Sequence, residues 1–348
     1  MRRLRELARR SRALVIATLM ARNLRLGIAL RLRPAKPVLL GARNRGFSLE
    51  QSLACVDWVF ADYERRGLDA ERIHGARILE LGPGDTLGVA LRLIGAGARQ
   101  VVCLDRFATV RDPEQQRRIH RALSESRPRS ERERLGRALS PDGALAEGQD
   151  ALVLIEGTGV ERAQEAVAGR FDAIISRAVL GHLWDLAPAF EQMDRLLEPG
   201  GAMLHKIDLS DHGLFERSGR GPLELLTVSD RVWDAMRRHT GLTNRCLSDS
   251  YREHASALGY SAELHPTRLI GDAGDLEGGA LRRAGRAGGR RRRARDRAHA
   301  SAAAVAVSRA LRRRPGGRWG LHGRLQARIA GGPRRAPGGL QVIHLADG

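Results

Sequence analysis

Two groups of residues in this chain carry side chains and spacings suited to chemistry. The first is Glu80-Leu-Gly82-Pro-Gly84-Asp85, followed after a second apolar run by Asp105. Glycines at 82 and 84 let a backbone turn sharply and lie against a ligand with no Cβ in the way. A helix starting just beyond them offers free N–H groups and the positive end of its dipole. An aspartate at the end of the next strand accepts hydrogen bonds from ribose hydroxyls. Such a set binds a nucleoside cofactor. The second group is His182 with His205-Lys-Ile-Asp208-Leu-Ser-Asp211-His212. An imidazole titrates near neutrality and serves as a general base, so His205 and His212 are the first choices and His182 a further one. Asp208 or Asp211 would orient them. A structural hydrogen bond accounts for any single one of these histidines equally well. Carboxylates, imidazoles and a substrate diol can also hold a divalent cation, but no spacing here fixes a metal and none is assigned.

These residues need elements to hold them. Apolar runs at Ile78–Leu81, Gln100–Leu104, Leu152–Ile155 and Gly259–Leu264 read as strands. Between them lie helical patterns. Ser48 and Gln51 have the spacing of a capping box, and Leu49, Leu53, Val56, Phe60 and Tyr63 then recur at helical spacing. A helix starting near Thr86 turns Leu87, Ala90, Leu91 and Ile94 to the sheet, and Trp184–Leu197 and Ser248–Leu258 read as two more. Alternating strands and helices define an α/β, doubly wound (Rossmann-like) fold with its ligand crevice at the carboxyl ends of the strands.

A dinucleotide fingerprint needs a third glycine at 87, where this chain has Leu, with Gly88 one place late. Glu80-x-Gly82-x-Gly84 with Asp105 instead resembles motif I and the following acidic residue of class I S-adenosylmethionine-dependent methyltransferases. Phe171-Asp-Ala-Ile-Ile-Ser-Arg-Ala-Val-Leu-Gly-His182 resembles the fourth strand and loop of that family. Leu196-Leu-Glu-Pro-Gly-Gly201 resembles its turn into the fifth strand. Over roughly 70–270, the pattern H-x-x-D-x-x-D-H, then S-D-R-V-W, then T-N-R, is similar to bacterial methyltransferases associated with glycan and natural-product assembly. The resemblance implies a seven-stranded sheet whose last strand runs antiparallel to the sixth, and S-adenosyl-L-methionine as cofactor. It places cofactor contacts at Glu80, Gly82, Gly84, Asp85, Asp105, Arg106 and Ser176, with Glu156 a weaker candidate near the adenine. Ser176-Arg-Ala-Val stands where many amino-methylating enzymes carry Asn-Pro-Pro-aromatic, which points to an oxygen acceptor on a small molecule or glycan. Ser229-Asp230-Arg231 and Asn244-Arg245 would meet a polar or anionic acceptor or form surface ion pairs. Two other classes stay in view: a nicotinamide-dependent oxidoreductase, and a basic nucleic-acid-associated protein with a vestigial methyltransferase fold.

The chain of 348 residues has a formal net charge of +20, of which residues 1–36 carry +10 and residues 275–348 carry +14. The stretch between them is slightly acidic, so the basicity belongs to the ends and a groove built around a phosphate backbone is not supported. The expected organisation is a basic helical extension over 1–45, a methyltransferase domain over 46–274 with a helical insertion or substrate cap at 106–150, and an Arg/Gly/Ala-rich, disordered tail over 275–348. A shifted reading frame in a GC-rich gene also produces that tail's composition; Gly339–Leu345 is the one segment there able to supply a last strand. Residues 1–36 have either the basic amphipathic character of a helix on an anionic membrane surface or a face packed on the core. Cys55, Cys103 and Cys246 form no CxxC or Cys/His cluster, which fits buried thiols in a reducing cytoplasm.

Overall fold

The computed structural model describes residues 11–32, 46–215, 218, 221, 223–266 and 339–346. In chain order the helices are α1 (Arg12–Leu32), α2 (Leu49–Arg65), α3 (Ala70–Ile73), α4 (Gly88–Ala96), α5 (Pro113–Glu125), α6 (Arg129–Leu135), α7 (Leu186–Leu196), α8 (Asp230–Arg237) and α9 (Ser248–Ala257). The strands are β1 (Arg77–Leu81), β2 (Gln100–Asp105), β3 (Leu152–Glu156), β4 (Phe171–Arg177), β5 (Leu197–Asp208), β6 (Ser261–Pro266) and β7 (Gly339–Ala346). A parallel sheet in the order β3-β2-β1-β4-β5 forms the body of the fold, as expected of a doubly wound protein. Beyond β5 come β7 and then β6.

β7 departs from the expectation of an antiparallel strand: it runs parallel to both β5 and β6. An antiparallel partner needs only a short hairpin, whereas a parallel one needs a connection of a dozen residues or more. Residues 267–338 supply that length. The expected disordered tail lies for the rest outside the described residues.

Both faces of the sheet are covered, so its strands are nearly continuous apolar runs. On one face Ile78, Val101, Ile175 and Leu204 pack beneath α2 and α4 through Val56, Phe60, Leu91 and Ile94. On the other, Leu79, Leu81, Ile174, Met203 and Ile207 meet α7 and α9 through Phe190, Met193, Tyr251 and Ala255. α1 is not a detached extension. Its Val15 and Leu19 join Phe215, Leu225, Trp233 and Met236 in a third cluster, and Asn23 donates to the Ala235 carbonyl at 2.8 Å.

Element ends follow local chemistry. The Ser48 hydroxyl accepts from Gln51 N at 3.2 Å while Gln51 Oε1 accepts from Ser48 N at 2.8 Å, the reciprocal capping box read from the sequence. Leu87 takes a left-handed φ of 56°, which delays α4 to Gly88. The Pro199-Gly200-Gly201 turn is absorbed into an early irregular stretch of β5, with a register shift against β4. Because α2 carries residues of the site described below, its cap matters to function. Ser48→Ala is expected to cost about 1 kcal/mol of stability, read as a lowered midpoint in urea with an unchanged slope.

Candidate functional site

β1 ends in the turn 82–87, where Gly82 and Gly84 have φ of 66° and 71°. A Cβ on Gly82 would lie 2.4 Å from Val179 Cγ2, so this glycine lets the β1 turn press against the loop after β4. A Cβ on Gly84 would meet nothing within 4 Å, leaving open space against the bare backbone. Helix α5 covers the turn. Gln116 Nε2 donates to the Asp85 carbonyl at 2.7 Å, and the buried His120 places Nε2 2.7 Å from the Thr86 carbonyl and Nδ1 3.0 Å from that of Gly143. The segment 106–150 is therefore a clamp on the glycine turn; Ile119, His120, Leu123 and Leu135 are buried in it.

Asp105 ends β2 beside this turn. Its Oδ1 accepts from Phe107 N at 3.0 Å, and burial raises its pKa from the ordinary carboxylate value. Arg106 bonds Glu161, and its guanidinium lies 4.1 Å from the centre of the exposed Trp184 ring, forming a rim over the strand ends. Arg111 reaches from the other side, bonding Glu156 and the Gly84 carbonyl (3.1 Å). Glu156 also accepts from Thr109 N at 3.1 Å. Glu80 is buried with Cys103 Sγ 3.7 Å from its carboxylate, and desolvation raises its pKa to about 7. It sits beneath the turn.

The histidines separate into two settings. His212 Nδ1 lies 3.1 Å from Asp208 Oδ2, and its Nε2 lies 3.2 Å from His182 Nε2, with the two rings stacked at 5.1 Å. The hydrogen bond to Asp208 raises the His212 pKa, whereas burial and the neighbouring His212 lower that of His182. Asp208 is held in turn by Ser210 N at 2.8 Å, and its pKa is lowered. The turn carrying His182 is fixed from behind: Asn244 Nδ2 donates to the Leu180 carbonyl at 2.8 Å and Asn244 N to that of Gly181 at 2.6 Å. A Cβ on Gly181 would lie 2.5 Å from the Asp208 carbonyl oxygen, so the His182 turn and the end of β5 touch.

His205 and Ser176 belong elsewhere. They are register partners on β4 and β5, fully buried, with Ser176 Oγ 2.8 Å from His205 Nδ1. Burial lowers the His205 pKa to about 3. This pair lies inside the sheet face covered by α7 and α9, with His205 Nε2 buried and without a hydrogen-bond partner. Asp211 is also structural: its carboxylate accepts from Gly213 N at 2.9 Å and Phe215 N at 3.2 Å. Arg245 turns inward to the Val228 carbonyl and Asp230 rather than outward to an acceptor. Among the described residues, no group of three or more His, Cys, Asp or Glu is arranged to hold a metal ion.

Sequence reasoning passed over one cluster. On the opposite face from His205, the buried Asp62 of α2 accepts from Arg177 (2.9 Å) and Lys206 (3.1 Å), both through Oδ2, and from Arg65 (3.4 Å) through Oδ1. Trp58 stacks over Arg177 at 4.1 Å and over Lys206 at 5.0 Å. The available signal was Lys206 itself, one of only two lysines in a chain whose other basic residues are arginines. Two cavities of about 370 and 380 Å³ lie away from all these groups, one at the amino ends of the strands and one between α5 and α6.

The chain belongs to the family described as "Methyltransferase domain", which matches residues 58–261. No curated protein matches the sequence. Solved structures similar to it include phosphoethanolamine N-methyltransferase 2 of Haemonchus contortus, at 17% identity and TM-score 0.34 over 62% of this chain and 43% of that one. Magnesium protoporphyrin IX methyltransferase of Synechocystis matches at 12% identity and TM-score 0.33, over 60% of this chain and 74% of that one. The [4+2]-cyclase SpnF matches at 20% and 0.35, over 67% and 68%. The chain thus spans less than half the length of the Haemonchus enzyme.

The residues present fit the cofactor. Open space at Gly84, the Asp105 carboxylate and the amino end of α4, where Leu87 provides no side-chain cap, suit a nucleoside with a charged amino-acid end. The buried histidine gives a check on the site's surroundings. His205 stays neutral when folded but takes up a proton near pH 6.5 when unfolded, so its contribution to stability is lost as pH falls from 6.5 toward 3, by about 1.4 kcal/mol per unit at most. His205→Leu should therefore lose less stability than the parent between pH 8 and pH 5 in urea titrations.

Proposed function

We propose that the enzyme methylates a hydroxyl oxygen of a small-molecule or glycan acceptor, with His212 as the proton acceptor and Asp208 as its orienting partner. The observation that carries this reading is the 3.1 Å contact between Asp208 Oδ2 and His212 Nδ1. Asp208 accepts a hydrogen bond from His212 Nδ1–H, which fixes the tautomer with the lone pair on Nε2. S-adenosylmethionine, when bound, supplies a methyl group on a sulfonium, and the acceptor oxygen takes it while giving up its proton. The chain's work is alignment and proton removal. Gly82 and Val179 set the β1 turn against the β4 loop, and three residues further on His182 lies against the Nε2 edge of His212. The Ser176-Arg-Ala-Val loop supports oxygen as acceptor.

The pH dependence has a definite sign. His212 must be neutral to accept a proton, and Asp208 raises its pKa, so methyl transfer should rise with pH through a limb above 6.5. Asp208→Asn should move that limb to lower pH, and His212→Ala should cut kcat by about 10²–10⁴-fold, both with unchanged affinity for S-adenosylhomocysteine. Formation of S-adenosylhomocysteine over a panel of sugars and phenols is the measurement. A flat profile in the parent enzyme would overturn the assignment.

We also propose that α1 rests on an anionic membrane surface. Its inner side packs on α8, while Leu14, Leu24, Ile28 and Leu32 are 50, 66, 49 and 76% exposed on the outer side, next to the exposed Arg22 and Arg25. Among the described residues no helix is long and apolar enough to cross a membrane, and an apolar stripe flanked by arginines suits binding in the plane of the interface. The full chain should sediment with phosphatidylcholine vesicles containing phosphatidylglycerol and far less with phosphatidylcholine alone. Leu24→Glu with Ile28→Glu should abolish it; equal sedimentation of that variant would refute the contact.

A further inference from the structure

We propose that Arg177 and Lys206, walled by Trp58, form a subsite for an anionic group of the methyl acceptor, a carboxylate or a phosphate. The inference rests on the acceptor reading above for what the anion belongs to, but the subsite itself stands on its own geometry. Arg177 and Lys206 are register partners at the carboxyl ends of β4 and β5, and the strand alternation turns both to the α2 face. Ala178 N donates to the Lys206 carbonyl at 2.8 Å, which ties the two ends together. Val179, the next residue, rests on Gly82. The cation pair therefore borders the crevice where the cofactor's turn and the β4 loop meet.

Two cations share one carboxylate oxygen there. Arg177 and Lys206 both direct one N–H at the same oxygen, Asp62 Oδ2, and the other oxygen takes Arg65. A guanidinium has five N–H donors and an ammonium three, so one carboxylate satisfies a small part of what these groups offer. The side chains of Lys206 and Arg177 are only 7 and 19% exposed. Two cations largely shielded from water on one shared oxygen are a setting that an arriving anion stabilises. Arginine and lysine in one place combine a fork that fits carboxylate or phosphate with a point charge. The Trp58 ring spans both cations and is itself 37% exposed, giving the subsite an aromatic wall open on one side.

The test titrates the full chain with inorganic phosphate by calorimetry at constant ionic strength, with and without saturating S-adenosylhomocysteine. Phosphate should bind the loaded protein, and Lys206→Met and Arg177→Gln should each weaken it at least tenfold while S-adenosylhomocysteine affinity stays within twofold. Arg177→Gln keeps the Asp62–Lys206 pair and gives the readout if Lys206→Met fails to fold. No phosphate binding by the parent chain, or equal binding by the variants, would overturn the subsite. Displacement of phosphate by S-adenosylhomocysteine would overturn it too, by assigning the cations to the cofactor's own carboxylate. Phosphate binding that depends on both cations, in a protein whose methyl transfer shows no His212-dependent limb, would keep the subsite and remove the hydroxyl-acceptor reading.

Discussion

Two of the places in this molecule with no room for a Cβ link the turn after β1 to the Asp208–His212 pair. At Gly82 the β1 turn lies against Val179, and at Gly181 the loop after β4 lies against the backbone of Asp208. Between them run only the residues of one short 3₁₀ turn, Leu180–His182. Whatever fixes the glycine turn thereby fixes His182, and through the contact of Gly181 it fixes the strand end from which Asp208 and His212 depart. Close packing transmits such placement because interiors have little free volume to absorb a shift. A methyl transfer that depends on alignment benefits from that stiffness.

The same stiffness lets the protein keep ionisable groups in states they would not hold in water. Desolvation dominates at Glu80, His205 and His120, pushing the carboxyl up and the imidazoles down. Each of these groups thus moves toward its neutral form inside the core. At the strand ends the balance reverses: His212 gains a carboxylate partner at Asp208 and is pushed up. Groups buried without a charged partner move toward neutrality, whereas buried charges such as Lys206 and Asp62 are paired, since an isolated charge cannot be buried cheaply.

Much of this was legible in the residues. The glycine spacing marked the turn after β1, the capping box of Ser48 and Gln51 placed the start of α2, and of the expected pairings of Asp208 or Asp211 with His205 or His212 the structure brings together Asp208 and His212. His205 and Ser176 were misplaced for a specific reason. Proximity to a strand end is readable from sequence, but which face a strand residue points to depends on registering the alternation against packed neighbours. The Asn244-Arg245 segment was open to an acceptor or to ion pairs, and Arg245 pairs with Asp230. Its polar residues satisfy backbone carbonyls of the 180–182 turn and of Val228, a task that depends on segments some sixty residues away meeting in space.

The alternation that hid His205 also explains how one pair of strands serves two purposes. Ser176 and Arg177 are neighbours in β4, and His205 and Lys206 are neighbours in β5, in matching register. On the α7 face the pair Ser176–His205 is neutral, internally hydrogen bonded and sealed. On the α2 face the pair Arg177–Lys206 is charged, shares one carboxylate and touches a half-open aromatic ring. A slip of one residue in β4 would turn Arg177 toward the apolar side chains of α7 and α9 and Ser176 toward Asp62, and a slip in β5 would do the same with Lys206 and His205, so that the carboxylate would lose one of these cations. Asp62 thus opposes such a slip independently of the hydrophobic pattern, since only the observed register brings Arg177 and Lys206 to the α2 face.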